Sequence, residues 1–303
     1  MRMTYEDLLI ELISKDSRYF VMTSENRAAM RGITTQIKNN FIDTGITEQT
    51  MIGMAAGLAL RGRVPIVHAL ATFLTMRAFE FIRTDVGIGN LPVKIMGFIP
   101  GFLSDGNGPT HQAIEDVSIM RGIPNVNVFC PADIEDFNIG IRKILEHPAP
   151  FYIRYLNLPS IVHHGEFEVG KAEAFGDGKD VAILVYGMLF AQAYKAKQIL
   201  ESKGLSIRLI NMRSLKPVDE EIILTALDEC NLIVTVEDHF ITGGLYTILA
   251  EVLLKNRKTA NVLPLALMNT WFKPALLNDV LDYEGFTGEK ISEKILIAKD
   301  THI

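Results

Sequence analysis

Residues 41–69, FIDTGITEQTMIGMAAGLALRGRVPIVHA, decide the reading of the fold. The stretch 48–60 is apolar on nearly every side and long enough for a helix, while 64–69 is a short β-rich run. A helix apolar all round is expected to be buried, and Gly53 and Gly57, four apart, let another element approach it closely.

The same alternation continues outward. Strands are expected at 19–23, 64–69, 93–99, 126–130 and 151–155, with helices at 48–60, 72–86, 111–121 and 134–146. This spacing implies a mainly parallel sheet covered by helices on both faces. Residues 157–180, NLPSIVHHGEFEVGKAEAFGDGKD, are polar and aperiodic and read as a linker. Beyond them strands are expected at 180–186, 206–210, 232–236 and 262–267, and helices at 190–203, 219–228, 244–254 and 291–298. The expected architecture is α/β, two doubly wound domains with mainly parallel sheets, at 1–165 and 166–303.

Composition narrows the function classes. A chain of 303 residues, 48% hydrophobic, has room for two ordinary cores. A formal net charge of −6 argues against nucleic acid or an anionic membrane as partner, because phosphate binding needs clustered Lys and Arg. Cys130 and Cys230 lie far apart, with no Cys or His at metal-ligand spacing, and read as buried free thiols. The first residues carry acidic side chains through their apolar stretch, and no run approaches ~18 apolar residues, so a cytoplasmic location without membrane contact is expected.

Several segments have residues suited to chemistry. Glu48 falls at a helix start, where the helix dipole favours its charged form and burial the neutral one. It reads either as an exposed dipole-balancing glutamate or as a buried carboxylate that needs a partner. Ser104-Asp-Gly-Asn107-Gly-Pro-Thr-His111-Gln follows a strand, where open α/β sheets bind ligands. His111 reads either as a proton-transfer or hydroxyl-binding group or as a helix-start histidine satisfying local backbone. Phe73, Met76, Arg77 and Phe79 follow the strand at 64–69, and the apolar ones are core or a wall for a flat aromatic ligand. Set aside are Gly176-Asp-Gly178, with no paired Asn after it, the common pair Gly243-Gly244, and His163-His164, expected to face solvent.

In order along the chain, GITEQ (45–49), Thr72-Phe73, GNGPTHQ (106–112), IRYLNLP (153–159), GKDVAILVYG (178–187), INMRSLKPVD (210–219) and VEDHFITGGL (236–245) resemble the pyrimidine-binding and C-terminal domains of the transketolase family. The resemblance implies thiamine diphosphate as cofactor, with catalytic roles for Glu48 and His111. Glu48 would contact the aminopyrimidine, Phe73 would stack on it, and Met76, Arg77 and Phe79 would line its pocket. Asn107, His111 and Arg154 would contact substrate. Asn107 stands where the family usually has Asp, Ile99 lies near the place of a common histidine, and Arg154 is one residue off a phosphate-contacting arginine. No metal ligands are expected on this chain. Mg²⁺ and the diphosphate belong to another domain of the family, so a partner N-terminal transketolase subunit is implied, with a homodimer of this chain inside an α2β2 assembly. The reaction implied is transfer of a two-carbon ketol unit between sugars or sugar phosphates. A 2-oxo acid dehydrogenase β subunit, a deoxyxylulose-phosphate-synthase-like enzyme and a non-catalytic structural subunit are the alternatives.

Overall fold

The computed structural model describes residues 4–24 and 30–300. In chain order the elements are α1 (Tyr5–Lys15), β1 (Tyr19–Thr23), β2 (Phe41–Asp43), α2 (Glu48–Leu60), β3 (Val64–Leu70), α3 (Phe79–Phe81), β4 (Lys94–Phe98), α4 (Asp116–Arg121), β5 (Asn127–Phe129), α5 (Ile134–Glu146) and β6 (Phe151–Arg154). They continue with β7 (Glu173–Phe175), β8 (Val181–Val185), α6 (Phe190–Ser202), β9 (Ile207–Asn211), β10 (Ser214–Lys216), α7 (Glu220–Glu229), β11 (Leu232–Phe240), α8 (Leu245–Lys255), β12 (Val262–Leu267), α9 (Leu277–Tyr283) and α10 (Gly288–Asp300).

Two sheets result, as the alternation predicts. The first runs β10-β5-β6-β4-β3-β1-β2 and the second β12-β11-β8-β9-β7. All pairings are parallel except those of the edge strands β10 and β7. Strands β4, β8 and β9 are buried along their whole length, the pattern of parallel strands covered on both faces. Helix α5 shows the local logic. Asp133 caps its first turn by accepting from the N–H groups of Glu135 and Asp136, and Phe137, Ile141, Ile144 and Leu145 form its buried stripe.

The structure corrects several expectations. Strand β10 comes from the second half of the chain yet pairs with β5, so the first sheet is completed across the linker. Residues 72–86 are not one α-helix: π-helical turns at Phe73–Arg77 and Ile82–Gly87 flank the short α3. The Ala78 N–H reaches the Phe73 carbonyl, five residues back, at 3.2 Å. The helix expected from His111 begins only at Asp116, leaving His111 in a turn. Helix α2 buries Met51, Ile52, Ala55, Ala56 and Ala59 but leaves Met54, Gly57 and Leu60 exposed, so it is covered on one side only. Cys130 is buried as expected, whereas Cys230 is half-buried.

Candidate active site

Strand β1 lies between β2 and β3, so the chain leaves it toward one side and returns on the other. Crevices outside the carboxyl ends of strands at such a reversal are the usual ligand sites of open α/β sheets. Here the crevice receives the turn after β2, the segment after β3 and the loop after β4.

Ser24, just past β1, shapes the first. Its hydroxyl donates to the Gly45 carbonyl at 2.6 Å and accepts from the Thr47 N–H at 3.0 Å. This turn delivers Glu48 to the first position of α2, where it is 1% exposed. A carboxylate so placed needs a donor. Arg77 supplies it, Nη1 donating to Glu48 Oε2 at 2.8 Å. Among the described residues no donor reaches Oε1.

The guanidinium also lies over a ring. Arg77 Cζ sits 4.1 Å from the centroid of Phe73. Phe73 in turn meets His111 edge-on at 5.1 Å between centroids, and His111 Nδ1 is 2.9 Å from the Thr110 hydroxyl. Glu48, Arg77, Phe73 and His111 thus form one continuous line from buried carboxylate to half-buried imidazole. Met76 is exposed beside it, Phe79 is half-buried, and Asn107 is exposed on the same loop as His111.

Arg154 does not join them. Its guanidinium is sealed between domains, donating to both oxygens of Asp116 at 2.9 and 2.6 Å and to Asp238 Oδ1 at 2.6 Å. Tyr152 adds its hydroxyl to Asp116 at 2.5 Å. Burial alone would push the Asp116 carboxyl up, yet Arg154 beside it holds the group below its ordinary value. Three of its five N–H groups are held by these two carboxylates and the side chain is 1% exposed, so in this structure Arg154 is closed off from the Glu48–His111 line, unlike the substrate contact the resemblance implies.

Two other expectations change. His164 is not at solvent: Nδ1 lies 2.7 Å from Glu173 and Nε2 2.9 Å from Asp133. Burial disfavours the imidazolium, but the paired carboxylates raise its pKa to about 10. With both nitrogens donating, no lone pair remains for a metal, so Asp136, His164 and Glu173 read as an ion-pair cluster with Arg213. Nor is Gly243-Gly244 an incidental pair. A Cβ on Gly244 would lie 2.0 Å from Glu237 Oε2, and that buried carboxyl accepts from the N–H groups of Leu245 and Tyr246 at the head of α8. Burial pushes Glu237 up to about 8. Sequence reading missed Asp116, Asp238 and Glu237, whose partners lie far off along the chain or lack a recognisable spacing.

Comparison with known proteins matches both halves of the chain to one family. Residues 1–157 match the family described as transketolase, pyrimidine binding domain, and residues 170–291 match transketolase, C-terminal domain. The 6-deoxy-6-sulfo-D-fructose transketolase subunit SqwH of Clostridium sp. (strain MSTE9) is 36% identical over 84% of this chain and 81% of its own. A putative transketolase C-terminal section of Methanocaldococcus jannaschii is 35% identical over 98% and 95% respectively. A solved structure described as a split gene transketolase, inactive beta4 tetramer, superposes with a TM-score of 0.87 at 31% identity, covering 98% of this chain and 97% of that one.

Proposed function

Since the chain belongs to the transketolase family, as a transferase subunit of the C-terminal-section type, we propose that it provides the aminopyrimidine side of a thiamine diphosphate site completed by a partner subunit. The carrying observation is what Arg77 does. A flat, donor-bearing guanidinium stacks on Phe73 while donating to buried Glu48. An aminopyrimidine is also flat and donor-bearing, so the residues present fit it.

Bound thiamine diphosphate would supply the electron sink for breaking and forming a carbon–carbon bond beside a carbonyl. The chain's own residues supply the rest. Glu48 would hold a proton between its carboxylate and the ring, an arrangement strengthened by burial. Phe73, Met76 and Phe79 would wall the ring and keep water from it. His111 would hydrogen-bond a hydroxyl or carbonyl of the sugar and move a proton there, and Asn107 on the same loop would read the remaining hydroxyls. Mg²⁺ and the diphosphate would rest on the partner.

Support for assembly comes from the surface. Ile46, Met54, Leu60, Met76, Phe81 and Ile88 are all exposed on the turn, helix and π-helical segment around the site. Apolar side chains gathered there suit burial against a second copy of this chain within an α2β2 assembly. The description of the solved relative as an inactive tetramer of β chains fits a subunit that needs another to work. No helix of the described residues is long and apolar enough to cross a membrane. The proposed setting is the cytoplasm, where the two thiols stay reduced.

Reconstitution tests this. The chain, co-expressed with an N-terminal transketolase section, is given thiamine diphosphate and Mg²⁺ with either a ketose phosphate plus an aldose or pyruvate plus an aldose phosphate. Ketol transfer from the ketose phosphate is expected, with turnover only in the complex. Consumption of pyruvate alone would favour the deoxyxylulose-phosphate or 2-oxo acid chemistry, and full turnover by the isolated chain would refute the partner.

A further inference from the structure

The loop that carries Asn107 and His111 has little regular structure of its own. Between the end of β4 and the start of α4 a single 3₁₀ turn, Phe102–Ser104, gives way to a series of turns, closed by Gly101 pairing with Ala113. What fixes it comes largely from the second half of the chain. Asp105 O accepts from the Ala275 N–H at 3.2 Å, and Ile114 O accepts from the Phe240 N–H at 2.9 Å. Gly108 faces Pro274, whose Cγ would lie 3.4 Å from a Cβ there. Phe102, below the loop, packs edge-on against Phe272 at 5.2 Å between centroids.

Gln112 joins these layers. It is 1% exposed, and its Nε2 donates to the Phe272 carbonyl at 2.8 Å. Its own carbonyl accepts from the Thr72 hydroxyl at 3.3 Å, one residue before Phe73. Its neighbour His111 packs on the Phe73 ring. One residue therefore links three parts of the fold: its backbone carbonyl meets the segment after β3, its backbone belongs to the histidine loop, and its side chain reaches the 271–275 segment of the second domain. Among the described residues its Oε1 finds no donor, so the amide is retained at a cost.

We propose that Gln112 and the 271–275 segment form a latch by which the second domain sets the position of His111, making Gln112 a positioning residue for the sugar. The inference rests on the transketolase reading for its kinetic consequence, though not for the latch itself. A backbone carbonyl as partner makes the latch independent of which side chain stands at 272, so long as the core there is filled. Among the described residues the Glu48–Arg77 pair, where the aminopyrimidine is proposed to bind, shares no hydrogen bond with Gln112.

The test uses Gln112→Met, which keeps volume, removes the unsatisfied oxygen and deletes the donor, so the fold should survive. Phe272→Leu serves as control, since it keeps the carbonyl but trims the core. In the assembled complex Gln112→Met is expected to raise KM for the ketose about tenfold, a misplacement effect, with the apparent affinity for thiamine diphosphate unchanged. Phe272→Leu should leave KM near normal while lowering the unfolding midpoint. A second readout needs no activity. In the isolated full-length chain Gln112→Met should speed amide hydrogen exchange across 105–114 and shift the emission of Trp271, the chain's single tryptophan and 55% exposed on the latch segment. Unchanged exchange and emission would overturn the latch, as would equal losses of ketose and cofactor affinity. Faster exchange in a complex that shows no ketol transfer would leave the latch standing and refute the transketolase reading instead.

Discussion

Among the arginine–carboxylate pairs of the first domain, Glu48–Arg77 and Arg154–Asp116 have surroundings that differ in a way that separates chemistry from construction. Glu48–Arg77 closes at 2.8 Å with the carboxylate buried but the arginine side chain 39% exposed. Arg154–Asp116 closes at 2.6 Å with both partners sealed, and Asp238 accepts from the same guanidinium. In the sealed group every donor of the fork is directed inward and Tyr152 adds a further bond. In the open pair one carboxylate oxygen is unengaged among the described residues, and the guanidinium can leave for water. A pair with one wet partner can exchange that partner for a ligand; a pair with none can only hold elements together.

The largest expected effect breaks the sealed side. Arg154→Met leaves Asp116 and Asp238 buried without their cation, and removal of one partner from such a group costs about 3–5 kcal/mol. Urea unfolding should show that loss, while Arg77→Met should cost less, because removing a partly exposed arginine opens Glu48 to water instead of leaving it sealed without a cation. Equal losses would erase the distinction drawn here. Next comes the open side. Glu48→Gln removes the carboxylate but not its volume, so turnover of the assembled complex should drop about 10²–10⁴-fold, the range for a positioned acid–base group. Its urea midpoint should stay close to that of the unaltered chain. A glutamine variant with near-normal turnover would end the role given to Glu48.

How much of this was legible in the sequence follows from where the determining partners lie. Strands β1 and β12 and helices α2 and α5 fall at the limits the pattern gives, because apolar runs and 3.6-residue periodicity are local signals. Strands β2, β7 and β10 were not read, being three-residue edge pieces with mixed burial and no period to detect. The π-helical turns after Phe73 also leave no trace in the periodicity, since an extra residue per turn is accommodated by packing. For the site, Glu48, Phe73 and His111 come together through the resemblance to the transketolase family: Phe73 and His111 follow expected strands, but β2, the strand before Glu48, leaves no signal. Arg154, given a substrate contact by the resemblance, lies in a seal instead. Its seal depends on Asp238, 84 residues away, which nothing near Arg154 announces. His164 failed for the same reason: its polar linker looks solvated until Asp133 and Glu173 arrive from flanking elements.

That linker cluster extends the comparison to pH. His164 ties Asp133, the cap of α5, to Glu173 on β7, and its pKa rises from the ordinary 6.5 to about 10. Unfolded, the ring binds its proton only below its ordinary value; folded, it keeps the proton to about 10. Between those values the folded state holds more protons, so this contribution is complete below the lower value and is lost as pH climbs through the upper one. The slope should approach, and not exceed, ~1.4 kcal/mol per pH unit for one proton. Unfolding free energies measured from pH 6 to 10 in parallel for the unaltered chain and His164→Gln should converge at the alkaline end. Curves that stay parallel would show that His164 is not the titrating group.

The smallest effect belongs to Arg77 and sharpens the comparison most, because it asks what the open pair is open for. In the chain alone Arg77 makes both contacts that an aminopyrimidine would make, donating to Glu48 and covering Phe73. A ligand entering there must displace it, and a site available for only part of the time binds with an apparent affinity reduced by that fraction. Arg77→Ala should therefore strengthen the apparent binding of thiamine diphosphate to the complex by about two- to fivefold, since a pair with one partly exposed partner competes only weakly. Glu48→Gln should weaken that binding in the same titration. Were Arg77→Ala to weaken binding as well, the guanidinium would be a cofactor-holding group that stays in place beside the ring. The two outcomes differ in sign, so an effect of only a few fold is enough to decide between a stand-in and a permanent wall.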